Sequence, residues 1–521
     1  MPQFSLHKFG PSPGPVRPGG HDVAMAEKRL TRVTIDPARP LGQLDRRMFG
    51  GFVEHLGRCI YGGLYDEGSP LADARGFRTD VLALLRDLRV GALRWPGGNF
   101  ASNYHWADGI GPADARPRRP ELAWGAEESN RFGTDEFLAY CAELGTEPFL
   151  CLNMGTGTLA EALDWIEYCN GSGDTAWARR RRENGQAEPY GVRLWALGNE
   201  MYGDWQVGAL SAEEYVATAT RWARAIRRLD PDLTLVSCGM SGWDDWDRKV
   251  IDGLAGLADL HSLHLYTGSG DYWTNVLQPL QADRAIRWTA ALIERAVYDQ
   301  NLPRTPRIAY DEWNVWYRTD DGMLEERYDF SDALAVGTYL NIFTRHCRWV
   351  RLANLAQLVN VIAPVVTTPQ AAVTQPIYYP IALHAQGALD LAADVHVSGP
   401  TVSPAGLGRD SRWPLRLAGL GPFGLVDAAA TVSTDRRKLA VTLVNRSEHD
   451  PQPTDLVLRD WTYTGPATLR TVTAGRDPSR RQLPDVATVH LEEGTAAGTG
   501  ARLALQLPPQ SFTLVETPIT G

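Results

Sequence analysis

Residues 192–200 read VRLWALGNE. An apolar run of this kind, closing on Gly-Asn-Glu, reads as a buried strand that delivers Asn199 and Glu200 at its C-terminal end. The same texture recurs outward in both directions. Short apolar segments at 47–54, 90–95, 147–153, 192–199, 233–238, 260–266, 307–312 and 350–357 alternate with amphipathic stretches. Residues 80–88 carry Val81, Leu82, Leu84, Leu85 and Leu88 on one side; residues 212–228 carry Tyr215, Ala219, Trp222, Ala225 and Ile226 at helical spacing. Ser211 and Ser331 are candidate helix starts, and Ser211 with Glu214 makes a capping box. Eight strand–helix repeats predict an α/β fold, a (β/α)8 TIM barrel. A doubly wound open sheet has the same period and is the structural alternative.

The texture changes after about residue 388. Residues 438–445, 454–458, 467–473, 486–491, 502–507 and 512–516 alternate apolar and polar side chains between Pro, Gly and Asp. They predict a C-terminal antiparallel β-sandwich domain. Four segments follow: a Pro/Gly-rich N-terminal extension at 1–28, expected to be flexible; a strand within 29–40, centred on 32–35, expected to join the sandwich; the barrel at 41–388; and the sandwich at 389–521.

At 521 residues the chain is too long for one ordinary core, which agrees with a large domain plus a smaller one. Its net charge of −10 argues against nucleic acid or an anionic membrane as the main partner; a neutral ligand fits better. The six cysteines form no CxxC pair and sit in apolar patterns, so they read as buried free thiols in a reducing compartment. The first thirty residues hold no apolar signal-peptide core, and no run is long enough to span a membrane, so a cytoplasmic location is expected.

Barrel sites are built at the C-terminal ends of the strands. The polar residues there are Glu54 and His55, Asn99, Asn153, Asn199 and Glu200, His264 and Tyr266, Asp311 and Glu312, and Gln357. Strands four and seven thus place two glutamates across the barrel mouth. Glycoside hydrolysis needs such a pair: one carboxylic acid protonates the leaving oxygen, and in a retaining enzyme the other attacks the anomeric carbon. Neither metal-ligand spacing, nor GxGxxG, nor a P-loop occurs in a suitable context, so no metal and no cofactor is expected.

Five stretches, in order and in register, resemble the α-L-arabinofuranosidases of glycoside hydrolase family 51: FVEHLGRCIYGGLY (52–65), RWPGGNFASNYHWADGIGP (94–112), WALGNEMYGDWQVG (195–208), YDEWNVWY (310–317) and LANLAQLVNVIAP (352–364). The resemblance implies Glu200 as general acid/base and Glu312 as nucleophile. It implies Glu54, Asn99, Trp124, Asn199, His264, Tyr266 and Gln357 as substrate-binding residues. It also implies exo action on arabinose-containing oligosaccharides and a homo-oligomer, often a hexamer. Two stretches depart from the family pattern, SGWDDWD (241–247) and TGSGDYWTNVLQPLQ (267–281), and Cys59 stands where a small aliphatic residue is expected. The two loops rim the site and bear on sugar preference.

Plainer readings stand beside these. Glu54 can be an ion-pair partner of Arg58 or Arg94, Asn99 a turn residue, His264 a structural or tuning histidine, and Tyr266 packing. The run at Arg179–Arg182 reads as a solvated loop, and Trp95 and Trp165 as core. The rival functions are a retaining endoglucanase, β-xylosidase or galactofuranosidase on the same barrel, a non-catalytic sugar-binding protein, and a structural oligomer.

Overall fold

The computed structural model describes residues 30–317, 324–408, 411–474 and 489–521. Eight strands close into one parallel barrel: Gly50–Phe52, Ala92–Trp95, Glu147–Cys151, Leu194–Leu197, Thr234–Ser237, Leu260–Thr267, Arg307–Val315 and Val350–Ala356. Closure is the pairing of the last strand with the first, Asn354 opposite Gly50 and Ala356 opposite Phe52, and it excludes the open sheet. Two glycines permit it. A Cβ on Gly50 would lie 2.6 Å from the Ala353 carbonyl, and one on Gly51 would enter the Leu358 side chain.

The first strand is shorter than the predicted 47–54. The Asp45 carboxylate accepts the Arg47 N–H at 3.1 Å and winds Arg46–Phe49 into a 3₁₀ turn. The seventh strand is longer, running past Glu312 to Val315, and it carries a bulge. Ala309 and Glu312 pair with Ser262 and His264, three residues against two. The extra residue breaks the alternation of faces. Asp311 and Glu312, neighbours in sequence, are therefore both buried among the polar groups of the barrel interior.

The helix Ala212–Leu229 opens with the predicted capping box: Glu214 N donates to Ser211 Oγ, and Ser211 N to Glu214 Oε2. Its Tyr215 hydroxyl donates to Leu197 O and accepts from Cys238 N, tying strands four and five together just below Glu200. Helix Thr79–Asp87 buries Val81, Leu82 and Leu85, while Leu84 is half-buried. Ser331 is not a cap. Asp329 is, accepting the Ser331 N–H, because a carboxylate two residues earlier reaches the first turn better than the hydroxyl within it. The arginine run lies on a helix, Ala176–Glu183, not in a loop, and Arg181 is buried, donating to Tyr168 O. All six cysteines are buried and free. Trp95 and Trp165 are core.

The C-terminal domain is one wrapped sheet around a second apolar core that includes Ile35, Val441, Leu456, Leu503 and Val515. Thr31–Gln43 joins it, antiparallel to Leu391–Ser398 and parallel to Gln452–Leu458, so one pair departs from the antiparallel expectation. The run expected at 486–491 appears as Val489–Ala497; its first three residues lie outside the described ones, as do 1–28. The helix Phe330–Arg345 packs between barrel and sheet and is buried on all sides through Thr344, as its apolar sequence demands. Asn341 and Arg345 on it bond to Asp427 and Ala428 of the sheet.

His384 shares this interface. It packs against Phe49 and Phe512, meets Thr344 Oγ1 through Nε2 at 3.0 Å, and leaves Nδ1 without a partner. Burial, with help from the Arg345 charge, pushes its pKa down to about 3. The unfolded chain binds a proton here near pH 6.5 and the folded chain does not, so this site destabilises the fold as pH falls below that value. Between pH 7 and pH 5 it removes about 2 kcal/mol. Urea denaturation of a His384→Leu variant should therefore show a smaller loss of stability over that interval than the parent; an equal loss would assign the acid sensitivity elsewhere.

Candidate active site

The fourth strand ends in a strained turn. Gly198 has φ 79°, and a Cβ there would press on Met154 and Met201. Glu200 itself has φ 43°, a left-handed conformation that costs a non-glycine residue on the order of 1 kcal/mol. The turn sends Asn199 and Glu200 into the barrel mouth. Strand six brings His264, opposite Glu312 in register. One oxygen each of Glu200 and Glu312 and a ring nitrogen of His264 all lie within 4.8 Å of one another.

Each carboxylate is held differently. Glu200 Oε1 meets His264 Nδ1 at 2.9 Å and accepts the Tyr202 hydroxyl at 3.1 Å; Oε2 accepts the Trp205 indole N–H at 3.0 Å. Glu312 Oε1 accepts from Arg94 at 2.8 Å, and Oε2 accepts the Tyr266 hydroxyl at 2.9 Å. Arg94 lies at the centre, buried, 4.7 Å above the Phe52 ring; it also donates to Asn199 Oδ1 at 2.5 Å and faces Asp311 at 3.7 Å. Asp311 accepts from Ser262 and lies 3.5 Å from His264 Nε2.

Burial would discharge Arg94, but Asp311 and Glu312 outweigh it and keep the guanidinium charged. Burial likewise opposes a charged imidazole, yet Glu312, Asp311 and Glu200 lift His264 to about 10. Glu312 is raised, by burial and by the charges of Glu200 and Asp311. Glu200 is lowered: burial raises it, but the His264, Trp205 and Tyr202 hydrogen bonds prevail. His264 Nδ1 faces both carboxylates, Glu200 at 2.9 Å and Glu312 at 3.5 Å, so the imidazolium offsets the charge that Glu312 sets against Glu200. These shifts favour a charged imidazole beside a charged Glu200. The same three residues are the only group of three or more His, Cys, Asp and Glu among the described residues close enough to share a cation.

Glu54 forms the opposite wall. Oε1 accepts from Phe100 N at 3.0 Å and from the Trp124 indole at 3.1 Å, and Oε2 from Gln357 Nε2 at 3.2 Å. It pairs with no arginine among the described residues: Arg58 pairs with Glu325 and Arg94 with Glu312. Trp124 stands on a turn whose N–H groups at Ala123 and Trp124 both donate to Glu121, and the residue stays 37% exposed. Between the walls runs Pro-Gly-Gly-Asn. A Cβ on Gly98 would lie 3.1 Å from Glu312, 3.3 Å from Asn199 and 3.6 Å from Glu54, so a side chain there would invade the floor. Asn99 opens the 3₁₀ turn Asn99–Asn103; it is half-buried, and its side chain bonds to none of the described residues. Asn153 stays apart and pins its own loop through Gly155 N and Thr156 N.

Every predicted site residue is therefore at the mouth. Sequence reading gave no such role to the groups that hold them: Arg94, considered only as a partner for Glu54, Asp311, noted only as a polar strand end, and Tyr202 and Trp205, which it passed over. All four lie inside the quoted motifs, so the motifs contained the signal; the pairings did not show.

A closed parallel barrel whose mouth brings two carboxylates within 4.8 Å, one cradled by hydrogen-bond donors and one anchored by an arginine, is built as a retaining glycoside hydrolase. The chain belongs to the α-L-arabinofuranosidase family: residues 84–285 match its α-L-arabinofuranosidase 1 domain and residues 311–511 its C-terminal domain. It is 47% identical to α-L-arabinofuranosidase C of Emericella nidulans over 72% of this chain and 78% of that one. It is 38% identical to an intracellular exo-α-(1→5)-L-arabinofuranosidase of Streptomyces lividans, over 93% and 75%. The α-L-arabinofuranosidase of Thermotoga maritima, solved with arabinose, superposes with a TM-score of 0.83 at 38% identity, covering 94% of this chain and all of that one.

Burial lifts Glu54 to about 8, against the donors that favour its charge. Below that pH it is neutral; above it a second charge appears beside Glu312. The kcat/KM profile should fall as pH rises through about 8. Glu54→Gln, which copies the neutral form, should move that limb up by about one unit or more, whatever it does to the maximum. A limb left in place would mean another group titrates there.

Proposed function

We propose that the chain is a retaining, exo-acting α-L-arabinofuranosidase that releases terminal arabinofuranose from arabinose-containing oligosaccharides by double displacement. The approach of Glu200 and Glu312 carries the reading: within 4.8 Å there is room for a sugar carbon and its leaving oxygen, but not for the water that an inverting pair must admit.

Glu312 is the nucleophile. Arg94 anchors Oε1, so Oε2, which faces His264 at 3.5 Å, attacks C1. Glu200 is the acid. It receives the resting proton from His264 across 2.9 Å and passes it to the departing oxygen. That transfer leaves His264 neutral, and it stays neutral once Glu312 is esterified, because the charge that most favoured an imidazolium is gone. Glu200, now a carboxylate, takes a proton from water, and the hydroxide displaces Glu312 with net retention. Asn199 Nδ2 is a buried donor with no acceptor among the described residues, and it supplies the hydrogen bond to the sugar 2-hydroxyl. Glu54, Asn99, Trp124, Tyr266 and Gln357 hold the remaining face of the furanose. The partner is a carbohydrate. Assembly into a homo-oligomer, a hexamer by the family resemblance, and an intracellular location complete the proposal; the Streptomyces lividans relative is named intracellular, and no helix among the described residues is long and apolar enough to cross a membrane.

Hydrolysis of p-nitrophenyl α-L-arabinofuranoside, run beside the xyloside, glucoside and galactofuranoside, tests the substrate. Glu312→Ala should lower kcat by about 10⁴-fold or more. Glu200→Ala should slow poor leaving groups by about 10²–10⁴-fold and largely spare glycosylation by activated aryl glycosides. Equal losses on both would remove Glu200 from the acid role, and selective turnover of another glycoside would transfer the mechanism to that sugar.

A further inference from the structure

The two loops that depart from the family pattern have a structural use. Between the paired strands Thr401–Val402 and Phe423–Gly424 the sheet domain sends out an arm, and its described residues 411–420 dock on those loops. Ser411 bridges to Ser269. Gln278 accepts from Gly268 N and donates to Ser411 Oγ at 3.0 Å. Gln281 accepts from Arg416 N, Arg284 donates to the carbonyls of Arg416 and Ala418, and the Arg416 guanidinium lies 4.8 Å from the Trp243 ring.

The arm ends against the catalytic centre. Trp413 lies nearly parallel to Tyr266, ring centres 5.7 Å apart, and Tyr266 is the residue that donates to Glu312. The Trp413 indole N–H is spent on Trp316 O at 2.7 Å, which fixes the ring, yet the side chain remains half-exposed. The Arg412 guanidinium lies 4.1 Å over the Trp316 ring. Two indoles and a guanidinium at the mouth offer flat apolar faces beside a hydrogen-bond donor, which suits the apolar face and hydroxyls of a sugar ring.

We propose that Arg412 and Trp413, with Trp316, form a subsite for the first sugar of the leaving group, so that the sheet domain contributes to substrate specificity. This rests on the exo-acting reading above: with one furanose filling the pocket, whatever passes this wall belongs to the aglycone. A mere docking role would instead hold Tyr266, and its loss would harm every substrate alike.

The test compares an α-(1→5)-linked arabinotriose with methyl α-L-arabinofuranoside, whose leaving group is too small to reach the wall. Trp413→Ala should raise KM for the trisaccharide about tenfold or more, keep both constants for the methyl glycoside within about threefold, and be rescued by Trp413→Phe. Equal losses on the two substrates, or an unchanged trisaccharide KM, would overturn the subsite. If the parent enzyme hydrolyses neither compound, the arabinofuranosidase reading fails on its own. The subsite is then judged by calorimetric titration of arabinotriose, where it stands only if the parent binds and Trp413→Ala binds at least about tenfold more weakly.

Discussion

The active end of this barrel depends on one buried cation. Arg94 rises from strand two, stacks on Phe52, and reaches Glu312, Asn199 and Asp311 on three sides. Losing one partner of such a buried pair costs about 3–5 kcal/mol, since the remaining charge has no solvent to receive it. The three groups come from strands four and seven, and only a closed barrel brings these to strand two. Closure, charge balance and the placing of Glu312 are thus one constraint. The bulge of strand seven serves it as well, because without the extra residue Asp311 and Glu312 would point to opposite faces.

Around that anchor the two glutamates differ by their neighbours and not by their chemistry. Glu312 is tied by a permanent cation and a phenol; Glu200 is tied by an imidazolium, a phenol and an indole. The first set steadies a carboxylate, which suits the nucleophile proposed for Glu312. The second contains a group able to give up its proton, as the acid/base role proposed for Glu200 requires. The left-handed turn at Glu200 is the backbone cost of aiming it there, and the Tyr215 hydroxyl below steadies the strands that carry the strain.

The second domain is more than an appendage. A helix buried on all sides joins it to the barrel, a buried histidine lies in the seam, and an arm from it stacks a tryptophan on the tyrosine that touches Glu312. The residues that receive the arm, Gln278, Gln281 and Trp243, sit in or beside the two unfamiliar loops. Their sequence makes sense as a docking surface.

Period and motif were enough to read the barrel, the second domain and the ring of residues from Glu54 to Gln357, because alternation and helical spacing are local properties, and strand ends of a barrel share one rim. Boundaries slipped where local chemistry intervened, as with the Asp45 cap that shortens the first strand and the Asp329 cap that displaces Ser331. Strand pairing across the sheet domain, the parallel partner of Thr31–Gln43 included, could not be read, since register depends on neighbours far along the chain. The pairing of charges was equally hidden. Sequence alone determined the fold class and brought the two glutamates and the seven residues around them to one rim. Only the tertiary structure decided that Arg94 holds Glu312 and not Glu54, that His264 stands between the glutamates, and that Trp413 joins them, because electrostatics act through space among groups that the chain separates by tens to hundreds of residues.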